Sequence, residues 1–316
     1  MKRIVFLTCI FTVFSTYTFT QNFKHHVMPM VGFDTVQTGD EDFVLSPSAR
    51  VQFMSMKNEE VVSPLPDRIM LAAGYSQDYY TSGLGPDKVK RIHGCSLMAA
   101  LAKEKNSGTF MLMSNGEVPF SSLKTVTGVA MYSHEMIKTD EKKFNLGFGV
   151  IVGDFYIEDW DFTLYVIPLP TFSFTYKNDV FETKLAVQGP PSISFTLFPE
   201  SMVRFKSAFG MGGYKSIRDL TFDCALAFYP LANNEDEGKR NFLSISAGVM
   251  NTKSDVTLKD KKKYGMQYYT AYGEVNATIL KVRCGYNFDG KQYVDNKEVA
   301  DFKKGLYLSA MLMAMF

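Results

Sequence analysis

The chain has 316 residues, with 34 Lys and Arg against 33 Asp and Glu and a mean hydropathy of −0.07. The balanced charge excludes the basic excess of a nucleic-acid-binding protein, so we expect no nucleic acid partner. The near-zero hydropathy excludes a bundle of membrane-spanning helices. Aromatic side chains make up 14% of the residues, which is high for a globular enzyme and typical of a β-barrel with aromatic girdles.

The first 20 residues have the pattern of a secretory signal peptide. Lys2 and Arg3 give a positive start, an apolar run covers residues 4–14, and Thr20 precedes Gln21 at a position that suits cleavage. The apolar run is shorter than the about 20 residues that a membrane helix needs, which argues against a retained anchor. We therefore expect residues 21–316 to form the mature domain, with 32 basic and 33 acidic residues after loss of Lys2 and Arg3.

Period-two alternation of apolar with polar or small side chains runs through the mature chain and predicts β-strands. Before residue 140 the pattern is weaker, with strands expected near 29–37, 47–56, 68–80, 92–103, 109–114 and 123–136. Later runs start near residues 144, 162, 181, 192, 203, 220 and 243, and residues 266–287 read as one long strand or two. We expect a bulge or bend at Pro168 and Pro170, because proline cannot donate a ladder hydrogen bond.

Charged segments at 231–240, 253–265 and 288–304 separate some of these runs and are expected to be loops. The non-apolar faces of the strands are rich in Gly, Ala, Ser and Thr, whereas a soluble sheet would carry more Lys and Glu. This favours a barrel whose apolar face meets lipid over a soluble secreted β-sandwich. We predict an all-β fold, a single antiparallel transmembrane β-barrel of about 12 strands (range about 10–14), because single-chain bacterial barrels have even strand numbers.

The last strand-length segment of the chain has one wholly apolar face. Its members are Leu306, Leu308, Ala310, Leu312, Ala314 and Phe316. This ending resembles the C-terminal signal of Gram-negative outer-membrane β-barrels, in which a terminal Phe closes the last strand; Ala314 stands where many of them carry Tyr. The resemblance implies an outer-membrane location, contact with outer-membrane lipid, and the barrel-assembly machinery as a partner that recognises Leu308, Ala310, Leu312, Ala314 and Phe316.

A stretch in the middle of the chain carries a second, looser resemblance. Ile167-Pro168-Leu169-Pro170, followed by Phe172-Ser173-Phe174-Thr175-Tyr176, is similar to a Bacteroidota family of barrels to which no substrate is assigned. This resemblance implies the barrel fold and no particular activity.

Charged side chains on the non-apolar strand faces are the best candidates for function. They are Glu182, Lys184, Arg204, Lys206 and Asp223. Because Arg or Lys facing lipid at the midplane costs about 2–4 kcal/mol, we expect these side chains to line the lumen; the alternative is that they snorkel from the membrane rim. They favour a porin-like passive pore or facilitator for small solutes. A structural or surface-interaction barrel with extracellular binding loops is the alternative function.

Catalysis and metal binding have weaker support. An outer-membrane lipid hydrolase needs a paired Ser and His, and Ser133 and His134 are adjacent, but neighbours on one strand point to opposite faces. We therefore expect that the protein is not an enzyme. Removal of the signal leaves three cysteines, Cys95, Cys224 and Cys284, an odd number without metal-ligand spacing. We predict no cofactor and no metal site.

Overall fold

The computed structural model describes residues 23–57, 66–84, 88–121, 125–157, 162–187, 191–211, 220–234, 240–258, 262–295, 297–302 and 304–316. The predicted signal peptide lies outside these ranges and stays a prediction. No helix within the described ranges is long and apolar enough to cross a membrane.

The described chain forms seventeen antiparallel β-strands. The first eight are β1 (Phe23–Gln37), β2 (Phe43–Lys57), β3 (Arg68–Leu84), β4 (Val89–Lys103), β5 (Asn106–Gly116), β6 (Val126–Lys138), β7 (Lys142–Ile157) and β8 (Phe162–Lys177). The remaining nine are β9 (Phe181–Val187), β10 (Pro191–Leu197), β11 (Val203–Met211), β12 (Leu220–Phe228), β13 (Leu243–Thr257), β14 (Lys263–Ala277), β15 (Leu280–Val294), β16 (Lys297–Phe302) and β17 (Gly305–Met313).

Sixteen of these strands close into a ring. Each strand from β1 to β15 pairs with the next along the chain, and β17 pairs with both β15 and β1. The strand β16 pairs only with the second half of β15, beyond the segment that pairs with β17, and therefore lies outside the ring. Main-chain bonds between Val27 and Phe316, 3.0 Å in each direction, extend the seam between β1 and the C-terminal strand.

The prediction of a barrel is confirmed, but the predicted number of about 12 strands is wrong. Three neighbouring strands, β9, β10 and β11, have only 7, 7 and 9 residues, and a two-residue turn splits residues 266–287 into β14 and β15. Two segments expected to be loops, 253–265 and 288–304, are mostly strand instead. Their charges fit strand ends that extend beyond the membrane, where both faces of a strand are wet.

The two prolines do not interrupt their strand. Pro168 and Pro170 pair in regular register with Val150 and Phe148 of β7, and the register shift lies further along, between Val152 and Phe155. The expected bulge at the prolines is therefore wrong. In the described pairing β9 follows β8 only as far as Phe172, so the prolines lie where one edge of β8 has no ladder partner, a position at which proline is tolerated.

The two faces of the wall differ in the way that the alternation predicts. On β17 the apolar face is the outer one, since Leu306 and Leu312 are exposed, whereas Tyr307 packs against a buried cluster inside the ring. The register carries this assignment round the barrel, and many large apolar side chains on the outer face are exposed, among them Val31, Leu97, Phe110, Phe148, Ile193, Leu226 and Ile245. An apolar outside and a polar inside is the arrangement of a barrel in a bilayer.

Candidate functional site

The interior has two ends with different chemistry. We call the end that holds both ends of the barrel chain the terminal end; the tight turns at 104–105, 139–141 and 278–279 lie there. The opposite end, with the turn at 38–42, is the distal end. Connections of both short and longer length occur at each end, so loop length alone does not orient the barrel.

A polar cavity of about 340 Å³ opens at the terminal end, and we call it the terminal cavity. Its lining residues are Glu182, Lys184, Thr196, Pro199, Arg204, Lys206, Tyr229, Asn241 and Asn276. They come from the ends of strands β9, β10, β11 and β14, from the turn between β10 and β11, and from the connection between β12 and β13. This connection folds inward, since Tyr229 and Ala232 are buried together with Ala227.

Arg204 and Lys206 converge on one aromatic ring in the terminal cavity. The guanidinium carbon of Arg204 lies 3.8 Å from the centre of the Tyr229 ring, and the Lys206 ammonium lies 4.9 Å from it. Arg204 donates to the Ser201 carbonyl at 2.9 Å and to the Asn241 side chain at 2.8 Å, and Lys206 donates to the Tyr229 hydroxyl. These partners are neutral, so two positive charges are held side by side on the inner face of β11.

The acidic groups near the terminal cavity are already paired. Glu182 forms an ion pair with Lys184 at 2.8 Å. Glu200, in the turn between β10 and β11, pairs with Lys177 at 2.7 Å and with Arg240 at 3.8 Å. The Lys177 ammonium donates to the Glu200 carboxylate and holds the pKa of that carboxyl below its usual range. The described lining residues of the cavity therefore carry a net positive charge.

Asp223, the fifth predicted lining residue, belongs to a separate charged network on the inner wall. Arg283 of β15 bridges Asp223 of β12 and Glu274 of β14, at 3.2 and 2.7 Å, and Lys281 reaches Glu274 at 3.1 Å. Tyr272 donates to Asp223, and the Arg283 guanidinium lies 4.0 Å from the centre of its ring. Two cations balance two carboxylates here, so this network is neutral and satisfied.

Apolar side chains pack together inside the distal end, in a group that we call the distal cluster. Its buried members are Val36, Val44, Tyr80, Ile92, Val256, Leu258, Tyr264, Met266 and Tyr268. They come from β1 to β4 on one arc of the wall and from β13, β14 and their connection on the other. The free space beside them, lined in part by Asp78 and Asn115, is only about 20 Å³.

The wall itself is flattened across the lumen. In the ring of sixteen strands, β5 and β13 are eight strands apart in either direction, yet their Cα atoms come within 8 Å of each other. Asn115 of β5 and Ser254 of β13 line the same small space at the distal end. A circular barrel of 16 strands leaves an aqueous channel, whereas here packed side chains fill the part of the distal end that lies between β1–β4 and β13–β14.

His93, His134 and the C-terminal signal lie on the outer face of the barrel wall. Ser133 is 2.7 Å from the Ser107 hydroxyl, whereas the His134 ring is 3.0 Å from the Asn106 amide oxygen on the other face, so the structure separates the only adjacent Ser and His considered for catalysis. His93 is 2.6 Å from the Tyr75 hydroxyl. The C-terminal Phe316 is 78% exposed, and Leu308 and Leu312 share the outward face of β17, as their alternation predicts.

Several interior residues were missed by reading the sequence. Tyr229 lies in a segment expected to border a loop, and Tyr264 lies in a segment expected to be one. Tyr268, Tyr272 and Glu274 alternate along β14, and this period-two pattern was the available signal. The uncertain division of residues 266–287 hid which of their faces is the inner one.

The closed ring, the apolar outer belt and the polar terminal cavity define the class of the protein. With no water in the bilayer core, only helices and closed barrels satisfy their backbone polar groups there. Closed single-chain barrels with an even strand number are the architecture of the bacterial outer membrane. The protein is a transmembrane β-barrel of the outer membrane.

Neither a protein-family model nor a curated protein sequence matches the chain. Among solved structures it is similar to Pseudomonas aeruginosa OccK7 (OpdD), with a TM-score of 0.42, 6% identity, and coverage of 94% of this chain and 100% of that one. A BenF-like porin from Pseudomonas fluorescens is similar with a TM-score of 0.33 and 8% identity, and the match covers 95% of this chain and 100% of that one. The outer membrane protein opdK from Pseudomonas aeruginosa is similar with a TM-score of 0.33 and 9% identity, and the match covers 94% of this chain and 100% of that one. At these TM-scores the likeness carries no weight for strand number, solute or mechanism.

Proposed function

We propose that the protein is a passive pore or facilitator for small solutes in the outer membrane, with its passage restricted at the distal end. The observation that carries this proposal is the polar, positively lined terminal cavity of about 340 Å³ inside a closed barrel. A cavity of this volume has room for many waters, since one water needs about 10–15 Å³ by this measure. A barrel that served only as a structural anchor would have no need of a wet, charged interior.

The alternative, a surface-interaction barrel with extracellular binding loops, loses part of its basis. Two of the three charged segments expected to form such loops, 253–265 and 288–304, are mostly paired strand. The ion pair between Lys291 and Glu298, 2.9 Å, joins β15 to β16 in one of them. The interior of the barrel is therefore the better place to look for function.

Three further elements of the proposal concern processing and assembly. We propose that residues 1–20 are removed as a signal peptide and that residues 21–316 form the barrel. We also propose that the assembly machinery recognises Leu308, Ala310, Leu312, Ala314 and Phe316. Exposure of the last aromatic side chain and the regular pairing of β17 with β1 support this role. The similarity to a Bacteroidota barrel family stays a proposal about origin.

The experiment that tests the pore is conductance in planar bilayers, using mature protein refolded into detergent. Refolding is checked first by the mobility shift between unboiled and boiled samples. Discrete conductance steps from the heat-modifiable form, and none from the boiled form, are expected. A folded protein that inserts into liposomes but neither conducts nor releases small entrapped solutes would contradict the pore.

A further inference from the structure

Two cations in the terminal cavity, Arg204 and Lys206, contact only neutral groups among the described residues. Arg204 is 8% exposed, so its charge is largely removed from water, which is unfavourable without a compensating anion. Its described partners are the Ser201 carbonyl, the Asn241 amide oxygen and the Tyr229 ring. Among the described residues, no carboxylate lies within ion-pair distance of Arg204 or Lys206.

The spare donors beside these charges suit an oxyanion. A guanidinium group has five N–H donors, and the described contacts of Arg204 use two of them. The Lys206 ammonium has three donors, of which one is directed to the Tyr229 hydroxyl. The amide group of Asn276 also lines the cavity. A planar guanidinium fork next to a compact ammonium is the donor set that binds carboxylate and phosphate groups in proteins.

The remaining inner wall shows why this pair is distinctive. Arg283 and Lys281 are also inward-facing cations, but each contacts a carboxylate directly. Lys184 is paired with Glu182. Arg204 and Lys206 therefore differ from these three cations, and they lie at the point where the cavity has room for a ligand.

We propose that the terminal cavity is a binding site for a small oxyanion, a carboxylate or a phosphate, held by Arg204 and Lys206. Its consequence for transport rests on the proposed pore: a solute passing through the terminal end would meet this pair, and anions would be favoured over cations. Binding itself does not depend on conduction and can be measured separately.

The binding test is isothermal titration calorimetry of refolded protein in detergent, with inorganic phosphate and, in a second series, acetate as the probes. A charge-assisted hydrogen bond is about twice as strong as a neutral one, so we expect Arg204→Gln and Lys206→Gln each to weaken binding by roughly tenfold or more. The matched control is Lys281→Gln, which removes one cation from the same end of the barrel and should change binding less than about twofold. Comparison of the phosphate series with the acetate series shows whether the site prefers a phosphate or a carboxylate group.

The site is overturned if the wild-type protein binds neither probe, or if both Arg204→Gln and Lys206→Gln bind as the wild type does. Arg204 also holds the turn at Ser201 through a hydrogen bond, so Arg204→Gln could fail to fold. If that variant lacks the heat-modifiable band, the result with Lys206→Gln alone decides the test. In bilayers with a KCl gradient, a reversal potential that moves towards cation selectivity in Lys206→Gln, but not in Lys281→Gln, is expected. Anion binding without any conductance would support the anion site and contradict the pore. Conductance without anion binding would support the pore and contradict the anion site.

Discussion

The distal cluster is predicted to limit passage through the barrel, and shortening two of its aromatic side chains should open it. Tyr264 and Tyr268 lie four residues apart on the inner face of β14 and are 5% and 7% exposed. They belong to the same buried cluster as Tyr80 and Ile92 from the other arc of the wall. The double change Tyr264→Ala and Tyr268→Ala removes two rings from this packing and leaves the terminal cavity untouched.

The magnitude follows from the free volume. The free space beside the distal cluster is about 20 Å³, which is room for about one water, since one water needs about 10–15 Å³ by the same measure. Each tyrosine ring with its hydroxyl occupies the place of roughly three waters at about 30 Å³ each. Removing both should join the distal end to the terminal cavity through a wet path, and we expect single-channel conductance to rise several-fold from a low wild-type value.

The assay is single-channel recording in planar bilayers, with Tyr269→Ala as the matched control. Tyr269 is the next residue to Tyr268 on β14 but faces outward, where its ring stacks 5.9 Å from that of Phe288. Loss of one buried aromatic side chain costs about 3–5 kcal/mol and the double variant loses two, so both variants are first checked for the heat-modifiable band. A double variant that folds and conducts no better than Tyr269→Ala would refute the idea that the distal cluster closes the lumen.

Three further changes test other parts of the barrel. Arg283→Met leaves the largely buried Glu274 and the partly exposed Asp223 without their shared cation, so the free energy of unfolding measured by urea titration in detergent should fall by at most about 3 kcal/mol; no loss would show that the network is solvated. Phe316→Ala should reduce the amount of folded protein in outer membranes of expressing cells while refolding in detergent stays near normal, whereas Met315→Ala, an equally exposed neighbour at 67%, should do neither. Glu200 has its pKa lowered from 4.5 by the hydrogen bond from Lys177, so the pair stabilises the fold above that value and the contribution is lost as the pH falls through the lowered folded pKa. Both side chains are about half exposed, so the pair should contribute less than about 1 kcal/mol to the free energy of unfolding at neutral pH. Glu200→Gln should therefore make the shift of the urea midpoint between neutral and acid pH smaller. An unchanged shift would show that the pair contributes nothing.

The class of fold could be predicted from the sequence because one face of nearly every strand has to meet lipid. On β7, for example, Phe148 and Val150 face outward and Gly147 and Gly149 face inward. Gly147 has a specific reason to be glycine, since a Cβ there would collide with the backbone of Tyr132. Small inward residues of this kind alternate with the apolar residues that face lipid, and this alternation is visible in a single sequence.

The strand number could not be predicted, because the breaks between strands carry weak signals. The turn between β14 and β15 consists of Thr278 and Ile279, neither of which is a typical turn residue. In contrast, the charged strand ends around Lys291 and Glu298 look like a loop, although the two side chains form a cross-strand ion pair. Local composition identifies a turn only where backbone strain or solvent exposure demands special residues, and neither demand is strong here.

The distal cluster could not be predicted from the alternation either, and the inner face of β14 shows the reason. Towards the distal end that face carries Tyr264, Met266 and Tyr268, and towards the terminal end it carries Glu274 and Asn276. A strand half with apolar residues on its inner face has no polar side to mark the lumen, so only the closure of the ring reveals that these side chains meet others from across the barrel. The inner face of β14 therefore changes from apolar at the distal end to polar at the terminal end, and the two proposals made above concern these two ends separately: passage at the distal cluster and anion binding at the terminal cavity.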